Sequence, residues 1–374
     1  MTTLAFEAER WYADKGRRVL AVEPLDALAE LEVVRIAFAD GGSVLYSLVP
    51  DVVAWEALLE RADGRFRFSG ERPGGQVYRL PVDQSHSSWR VGDAHVKCYR
   101  RLSPGTHPEV ELLRALSERN FAHAPAYLGV LEWQSSDVGT VAVAVVEEFL
   151  EGADEGWEWA AGLAAAGDAS FAAELGSLAR GLHEALAAAF PTRRASAADA
   201  DGWRRAADAQ LTRAIEIEPS IAADEPRVRR ELERLDSGDS TLTRVHGDLH
   251  VGQFLRTPER IVIVDLEGQP AKTVENRRAL DTPLRDLASL ARSLDHCGRY
   301  AVVRRGADPR RTEEWIAEAR ARLVDGYGAC DRSLLRALEW ERALYEFTYA
   351  ATYLPEWIYA PRAGFEALLH EPES

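Results

Sequence analysis

The chain has 374 residues, length for two or three domains at roughly 100–200 residues each. Hydrophobic residues make up 46% and charged residues 28%, which excludes wholesale disorder and supplies a large core. The net charge of −16 argues against a grip on nucleic-acid backbone.

Lys15, Lys97 and Lys272 are the only lysines, the other cations being arginine, so a lysine in a predicted strand stands out. Cys98, Cys297 and Cys330 show no paired spacing, which predicts a reducing compartment without a disulfide framework or a Cys zinc site. MTTLAFEAER has no secretory pattern, and the most apolar run, Val138 to Val146, is far short of a membrane span. The expected setting is cytoplasmic, with no membrane partner.

In chain order, Val19–Pro24, Glu30–Ala39 and Ser43–Pro50 read as strands, with Asp40-Gly41-Gly42 as a hairpin-type turn. Arg61 to Gly75 is turn-rich and reads as a boundary. Ser87–Val91 and Ala94–Tyr99 read as a hairpin around Gly92-Asp93, and Leu102 to Thr106 as a loop. His107–Arg119 has helical periodicity with Pro108 in its first turn. Thr140–Phe149 is an apolar strand. Beyond Leu150 the pattern becomes helical over Trp157–Ala166, Phe171–Phe190, Asp201–Glu216 and Arg227–Leu235, with a small-residue linker from Pro191 to Asp201. Leu242–Asp248 and Ile261–Leu266 read as short buried strands, and helices resume over Pro283–Leu294 and from Arg311 onward. The pattern predicts a bilobal α+β fold.

The segment Thr243–Pro270 carries the chemistry. His246-Gly247-Asp248 follows a short strand, Gln253 lies five residues after Asp248, and Asp265 ends the next strand seventeen residues after Asp248. Phosphoryl transfer needs a carboxylate to orient the attacking hydroxyl and oxygen ligands for the magnesium on a nucleotide's phosphates. Asp248 supplies the first, and Gln253 and Asp265 the second, in the order that protein kinases use. Lys97, in the strand His95–Tyr99, is the phosphate cation, with Glu111 of the following helix as its expected partner and Glu109 as a helix N-terminal charge. A phosphate loop over the hairpin Gln84–Gly92 would be built on Ser85, Ser87 and Ser88. The strand ending Glu147-Glu148-Phe149 is the expected hinge, holding adenine through its backbone.

These residues resemble a family. VHGDLHVGQFLRT followed by IVIVDLEGQP is similar to the maltokinase-type branch of the aminoglycoside-phosphotransferase-like kinases. Arg10-Trp11-Tyr12-Ala13-Asp14-Lys15-Gly16-Arg17, Asp154-Glu155-Gly156-Trp157 and Thr282-Pro283-Leu284-Arg285-Asp286 resemble further motifs of that branch. The resemblance implies an amino-terminal cap (1–80), a β-rich intermediate unit with lysine and hinge (81–150) and a mainly helical carboxy lobe (151–374). It implies ATP and Mg²⁺ as cofactors, Asp248 as base, Gln253 and Asp265 as magnesium ligands and Lys97 as the phosphate-binding lysine; beside these, Glu111, Ser87, Glu147 and Phe149 are the further residues expected at the nucleotide.

The branch's Arg-Asn-Arg run is replaced here by Ala351-Thr352-Tyr353-Leu354. That departure favours a sister group of actinobacterial kinases that phosphorylate glucosamine at the 6-hydroxyl; maltose and an aminoglycoside antibiotic are the alternative acceptors. A non-catalytic nucleotide-binding protein is the rival from another class. An ammonium calls for carboxylates and aromatic faces, which points to Glu267, Glu346, Glu356, Tyr349, Tyr353 and Trp357. Arg285 and Asp286 are expected to brace the catalytic loop through a buried ion pair, His250 to be structural and His183 to lie on a helix face. The expected partners are a sugar or amino sugar and Mg·ATP, with the chain acting as a monomer.

Overall fold

Alternating apolar residues build the first sheet. β1 (Val19–Leu28), β2 (Leu31–Phe38) and β3 (Ser43–Leu48) run antiparallel, with Ile36 opposite Val22 on one side and Val44 on the other. Val34, Ile36, Phe38 and Tyr46 form a core that Trp11 and Tyr12 close. The structure is a computed structural model and describes residues 11–81, 86–236, 240–269 and 272–371. Arg10, Gln84, Ser85 and Pro270, named above, lie outside the described residues.

The RWYADKGR segment has a packing role. The buried Asp14 accepts from Tyr46 Oη at 2.7 Å and pairs with Arg17 and Arg101. The Arg17 guanidinium lies 3.7 Å from the Phe38 ring centroid and also holds Asp40 in the hairpin turn.

The chain divides into two compact units, Met1–Glu151 and Gly152–Ser374. The first continues with α1 (Trp55–Glu60), β4 (Phe66–Gly70), β5 (Val77–Arg79), β6 (His86–Val91), β7 (Ala94–Tyr99), β8 (Arg101–Leu102), α2 (Pro108–Glu118), β9 (Tyr127–Ser135) and β10 (Gly139–Glu148). A second sheet has the order β4-β9-β10-β7-β6-β5, while β8 joins β3 in the first. The expected division at residue 80 is therefore not where the sheets change. β4 and β5 precede it yet belong to the second sheet, and β8 follows it yet completes the first. β4 and β9 escaped the pattern because Arg67 and Ser69 in β4, and Gly129, Glu132 and Gln134 in β9, break up their apolar residues; the pairing of β4 with β9 and of β9 with β10 makes them strands.

The second unit comprises α3 (Gly156–Ala166), α4 (Ala172–Ala189), β11 (Arg193–Arg194), α5 (Ala197–Ile217), α6 (Glu225–Leu232), β12 (Thr241–Leu242), β13 (Phe254–Arg256), β14 (Ile261–Ile263), α7 (Val274–Arg277), α8 (Leu284–Arg305), α9 (Pro309–Tyr327), α10 (Arg332–Tyr353) and α11 (Tyr359–His370). Part of the expected linker is helix: Ser196 and Asp199 form a reciprocal capping box that starts α5. The expected strand over 242–248 is short: Thr241 and Leu242 pair with Arg194 and Arg193, and Thr243 makes a single bridge to Asp281. α8 is buried along most of its length and packs on α3, α9, α10 and α11. Among the described residues no helix is long and apolar enough to cross a membrane.

Asp14→Ala would leave the buried Tyr46 hydroxyl without its acceptor, at a cost of about 1–3 kcal/mol. The expected result is a lower denaturant midpoint; an unchanged midpoint contradicts the role assigned to Asp14.

Candidate active site

In the first unit, β7 carries Lys97 between Val145 of β10 and Ser88 of β6. Lys97 Nζ lies 2.9 Å from Glu109 Oε1, and Tyr99 Oη donates to Glu109 Oε2 at 2.7 Å. Both charges are buried, so each needs its partner. The expectation of Glu111 is corrected to Glu109. Two residues apart on a helix, the two glutamates point to different sides, and Glu109 is the one directed at β7. His107, at the start of α2, stacks on Tyr99 with centroids 3.9 Å apart and sets this corner.

Ser87 is also corrected. It is fully buried and accepts from Arg100 Nε at 2.7 Å, so it secures the sheet and is not presented to a phosphate. Ser88 is buried as well. At the hinge, the Glu147 carboxylate accepts from His95 Nδ1 at 2.9 Å. The Phe149 N–H donates to Asp93 O at 2.9 Å, so that group is committed within the sheet. Arg90 lies 4.4 Å from the Phe149 ring centroid.

In the second unit, the loop that carries the candidate base Asp248 has no strand ladder from His246 to Asp248 and takes its partners from α8. Asp286 Oδ2 accepts from His246 N–H at 2.8 Å and Oδ1 from Gly247 N–H at 2.9 Å. His183 Nε2 donates to Asp286 Oδ2 at 3.1 Å, and Tyr327 Oη donates to His183 Nδ1 at 3.0 Å. Burial alone would raise the Asp286 carboxyl; the His183 hydrogen bond and the loop N–H groups outweigh it and hold it below the usual carboxylate range. Asp286 thus braces the loop as expected, but through His183, not Arg285. Arg285 pairs with Asp281 at 2.8 Å and Glu341 at 2.7 Å instead. The position of His183 among Leu178, Leu182 and Leu186 on the buried face of α4 was the sequence signal for its role.

Two further contacts fix the loop downstream of Asp248. Val251 N–H donates to Ser293 Oγ at 3.0 Å. Gly156, in the Asp154–Trp157 motif, lies so close under the 251–254 backbone that a Cβ there would come within 2.0 Å of Val251 O. Only glycine allows this approach.

The residues expected to hold magnesium lie together. The Gln253 side-chain amide is 3.2 Å from Asp265 Oδ2, and Val264 N–H donates to Gln253 O at 2.9 Å. Asp265 has φ 62°, in the left-handed region that non-glycine residues rarely adopt. A carboxylate and an amide oxygen are hard donors of the kind magnesium takes when phosphates and water complete its shell. Among the described residues no group of three or more His, Cys, Asp or Glu side chains could hold a metal alone. His250 lies in the same loop: its Nδ1 accepts from Gly252 N–H at 3.1 Å, and burial holds its imidazole below the ordinary value.

Around Asp248 the structure adds a residue that the sequence reading missed. Arg342 Nη2 is 3.5 Å from Asp248 Oδ1, with the guanidinium 5.1 Å from the Tyr345 ring centroid. Its spacing of three from Tyr345 on α10 was the available signal. Tyr345, Tyr349 and Tyr353 follow one another along that helix, with Tyr349 44% exposed. Glu267 pairs with Arg277 at 3.4 Å.

Glu346 is corrected. It is buried and grips Arg292 at 2.9 Å and His296 at 3.0 Å. Burial would raise its carboxyl, but Arg292 and then His296 hold it well below the usual range. Its charge is spent on that network and not on an acceptor ammonium. Trp357 has Tyr300 stacked on it, centroids 5.2 Å apart at 13°, and Trp157 beside it at 5.7 Å, so part of its surface is already covered.

A β-rich unit with a buried strand lysine and helix glutamate, and a helical unit with a braced carboxylate loop, define a kinase-like phosphotransferase. The chain belongs to the phosphotransferase enzyme family, whose match spans residues 76–315. It is similar to a glucosamine kinase of Mycolicibacterium smegmatis, 34% identical over 331 residues, 82% of this chain and 81% of that protein. It is 32% identical over 345 residues to a glucosamine kinase of Streptacidiphilus jiangxiensis, 84% of this chain and 77% of that protein. A solved glucosamine kinase in complex with glucosamine, ADP and inorganic phosphate is 28% identical, with a TM-score of 0.75 over 98% of this chain and 96% of that one.

Removing the charge of the lysine's partner separates the two glutamates. Glu109→Gln is expected to raise the apparent KM for ATP by about 10-fold or more, the loss of one buried charged hydrogen bond, with Glu111→Gln within about twofold of the parent. Steady-state rates with ATP varied decide this; a larger effect at Glu111 contradicts the assignment.

Proposed function

We propose that the chain transfers the γ-phosphate of ATP to D-glucosamine, giving glucosamine 6-phosphate and ADP. The carrying observation is the loop itself: Asp248 follows two backbone N–H groups pinned by the buried Asp286, with Gln253 and Asp265 beside each other downstream. Relatives 32–34% identical over most of the chain are glucosamine kinases, which supports the acceptor.

In this reading Asp248 orients the sugar 6-hydroxyl and takes its proton as the O6–P bond forms and the bond from the γ-phosphorus to the bridging oxygen breaks, ADP leaving. The proton moves late if the transition state is loose. Gln253 and Asp265 would hold magnesium, which supplies charge neutralisation for the β- and γ-phosphates. Lys97, kept in place by Glu109, binds the phosphates. Arg342, beside Asp248, helps to orient the base. With Glu346 committed to Arg292 and His296, Glu267, which carries the longer pairing with Arg277 at 3.4 Å, is the carboxylate assigned to the ammonium, and Tyr349 and Trp357 are the aromatic residues assigned to the sugar. Cys98, Cys297 and Cys330 are free thiols, which supports a reducing, cytoplasmic setting. The chain is taken to act as a monomer.

ADP release is measured with Mg·ATP and glucosamine, N-acetylglucosamine, glucose, maltose or kanamycin. Glucosamine is expected to be turned over selectively. Asp248→Asn is expected to lower kcat by about 10²–10⁴-fold with ATP affinity within about twofold of the parent. Selective turnover of maltose or kanamycin contradicts the acceptor, and a near-normal rate in Asp248→Asn contradicts the base.

A further inference from the structure

The hydrogen bonds of His250 contain a conflict. His250 Nδ1 accepts from Gly252 N–H at 3.1 Å, so that nitrogen carries a lone pair and the neutral ring's proton is on Nε2. The ring packs directly over Gly252, where an added Cβ would come within 3.0 Å of its Cε1 and Nδ1. His246 has the same local arrangement four residues earlier. Its Nδ1 accepts from Asp248 N–H, and its Nε2–H donates to Val264 O at 3.0 Å. The corresponding Nε2–H of His250 meets the Gln253 side-chain amide at 3.3 Å.

That amide is placed with its nitrogen toward both His250 Nε2 and Asp265 Oδ2. The nitrogen suits Asp265 but sets two donors against each other at His250. Turning the amide over reverses the problem: the oxygen accepts from His250 but then faces a carboxylate oxygen 3.2 Å away. Which way an amide points is decided by its partners. Two oxygens at this separation are repulsive unless a cation lies between them. Magnesium with ligands at about 2.1 Å and right angles sets neighbouring oxygens ~3.0 Å apart, close to the separation present.

We propose that His250 is a positioning residue for the metal site, its Nε2–H turning the Gln253 amide so that the oxygen faces Asp265 and a divalent cation. The inference rests on the reading of Gln253 and Asp265 as magnesium ligands, and it adds what fixes the amide. Without such a donor, the Asp265 carboxylate favours the orientation that presents the nitrogen, which no metal binds. The paired tautomers also divide the labour: His246 ties the catalytic loop to the strand before Asp265, and His250 sets the ligand.

The test measures Mn²⁺ affinity by EPR in the presence of ADP, with no turnover required. His250→Asn places Oδ1 where Nδ1 was, keeping the acceptor for Gly252 N–H while removing the Nε2 donor. It is expected to weaken Mn²⁺ by roughly tenfold, and by less than about twofold when Gln253 is replaced by Glu, whose two ends are both oxygen. ADP affinity without metal is expected to be unchanged. An equal loss in the Gln253 and Gln253→Glu backgrounds would mean that the ring only shapes the loop, and overturns the proposal. Gln253→Ala separates the layers. If it weakens Mn²⁺ while His250→Asn does not, the inference falls and the ligand reading stands. If neither does, both fall. Should His250→Asn fail to melt as a folded protein, His250→Phe, which keeps the ring volume, is measured in the same two backgrounds with the same criteria.

Discussion

The Asp286 carboxylate accepts two consecutive backbone N–H groups and a histidine donor while almost completely removed from water. The loop it holds, His246 to Asp248, has no ladder partner, and buried backbone polar groups must be paired somewhere. α8 meets that requirement twice. Asp286 takes the start of the loop, and Ser293, two turns further along the helix, takes Val251 N–H. A helix rises ~10 Å over seven residues, so the two anchors act as a fixed ruler under the stretch that carries Asp248. The same logic governs the first unit, where the buried Lys97 persists because Glu109 and Tyr99 complete its surroundings.

The chemistry was legible in the sequence where dense polar residues interrupt apolar runs. Asp248, Gln253, Asp265 and Lys97 stand out because the roles proposed for them, a base, two oxygen ligands and a phosphate lysine, call for residues of these types at such spacings. Partners distant in sequence were not legible. Glu346 reads as an acceptor-site carboxylate until Arg292, fifty-four residues earlier, is found beneath it. Ser87 reads as a phosphate-loop hydroxyl until Arg100 is seen to claim it across the hairpin. Glu111 was preferred to Glu109 because a helix N-terminal charge explained Glu109 well enough alone, whereas the strand it faces explains it better.

Part of the fold was hidden for a different reason. β4 and β9 pair with each other inside the second sheet, and their register depends on neighbours remote in the chain, not on local alternation. The family motif at Trp11–Arg17 was recognisable, but its physical purpose, sealing the first sheet through Asp14 and Tyr46, needed the structure. The Asp154–Trp157 motif is similar: Gly156 matters because the backbone that leads into Gln253 and Phe254 lies against it.

The central claim is that Asp248 directs phosphoryl transfer to the 6-hydroxyl of an amino sugar. The most direct measurement is ³¹P–¹H correlation on the product formed from Mg·ATP and glucosamine. The account predicts a phosphomonoester resonance coupled to the two protons on carbon 6, formed by the parent chain and absent with Asp248→Asn. A phosphate coupled to the anomeric proton, or a product that forms equally well without the Asp248 carboxylate, would contradict it.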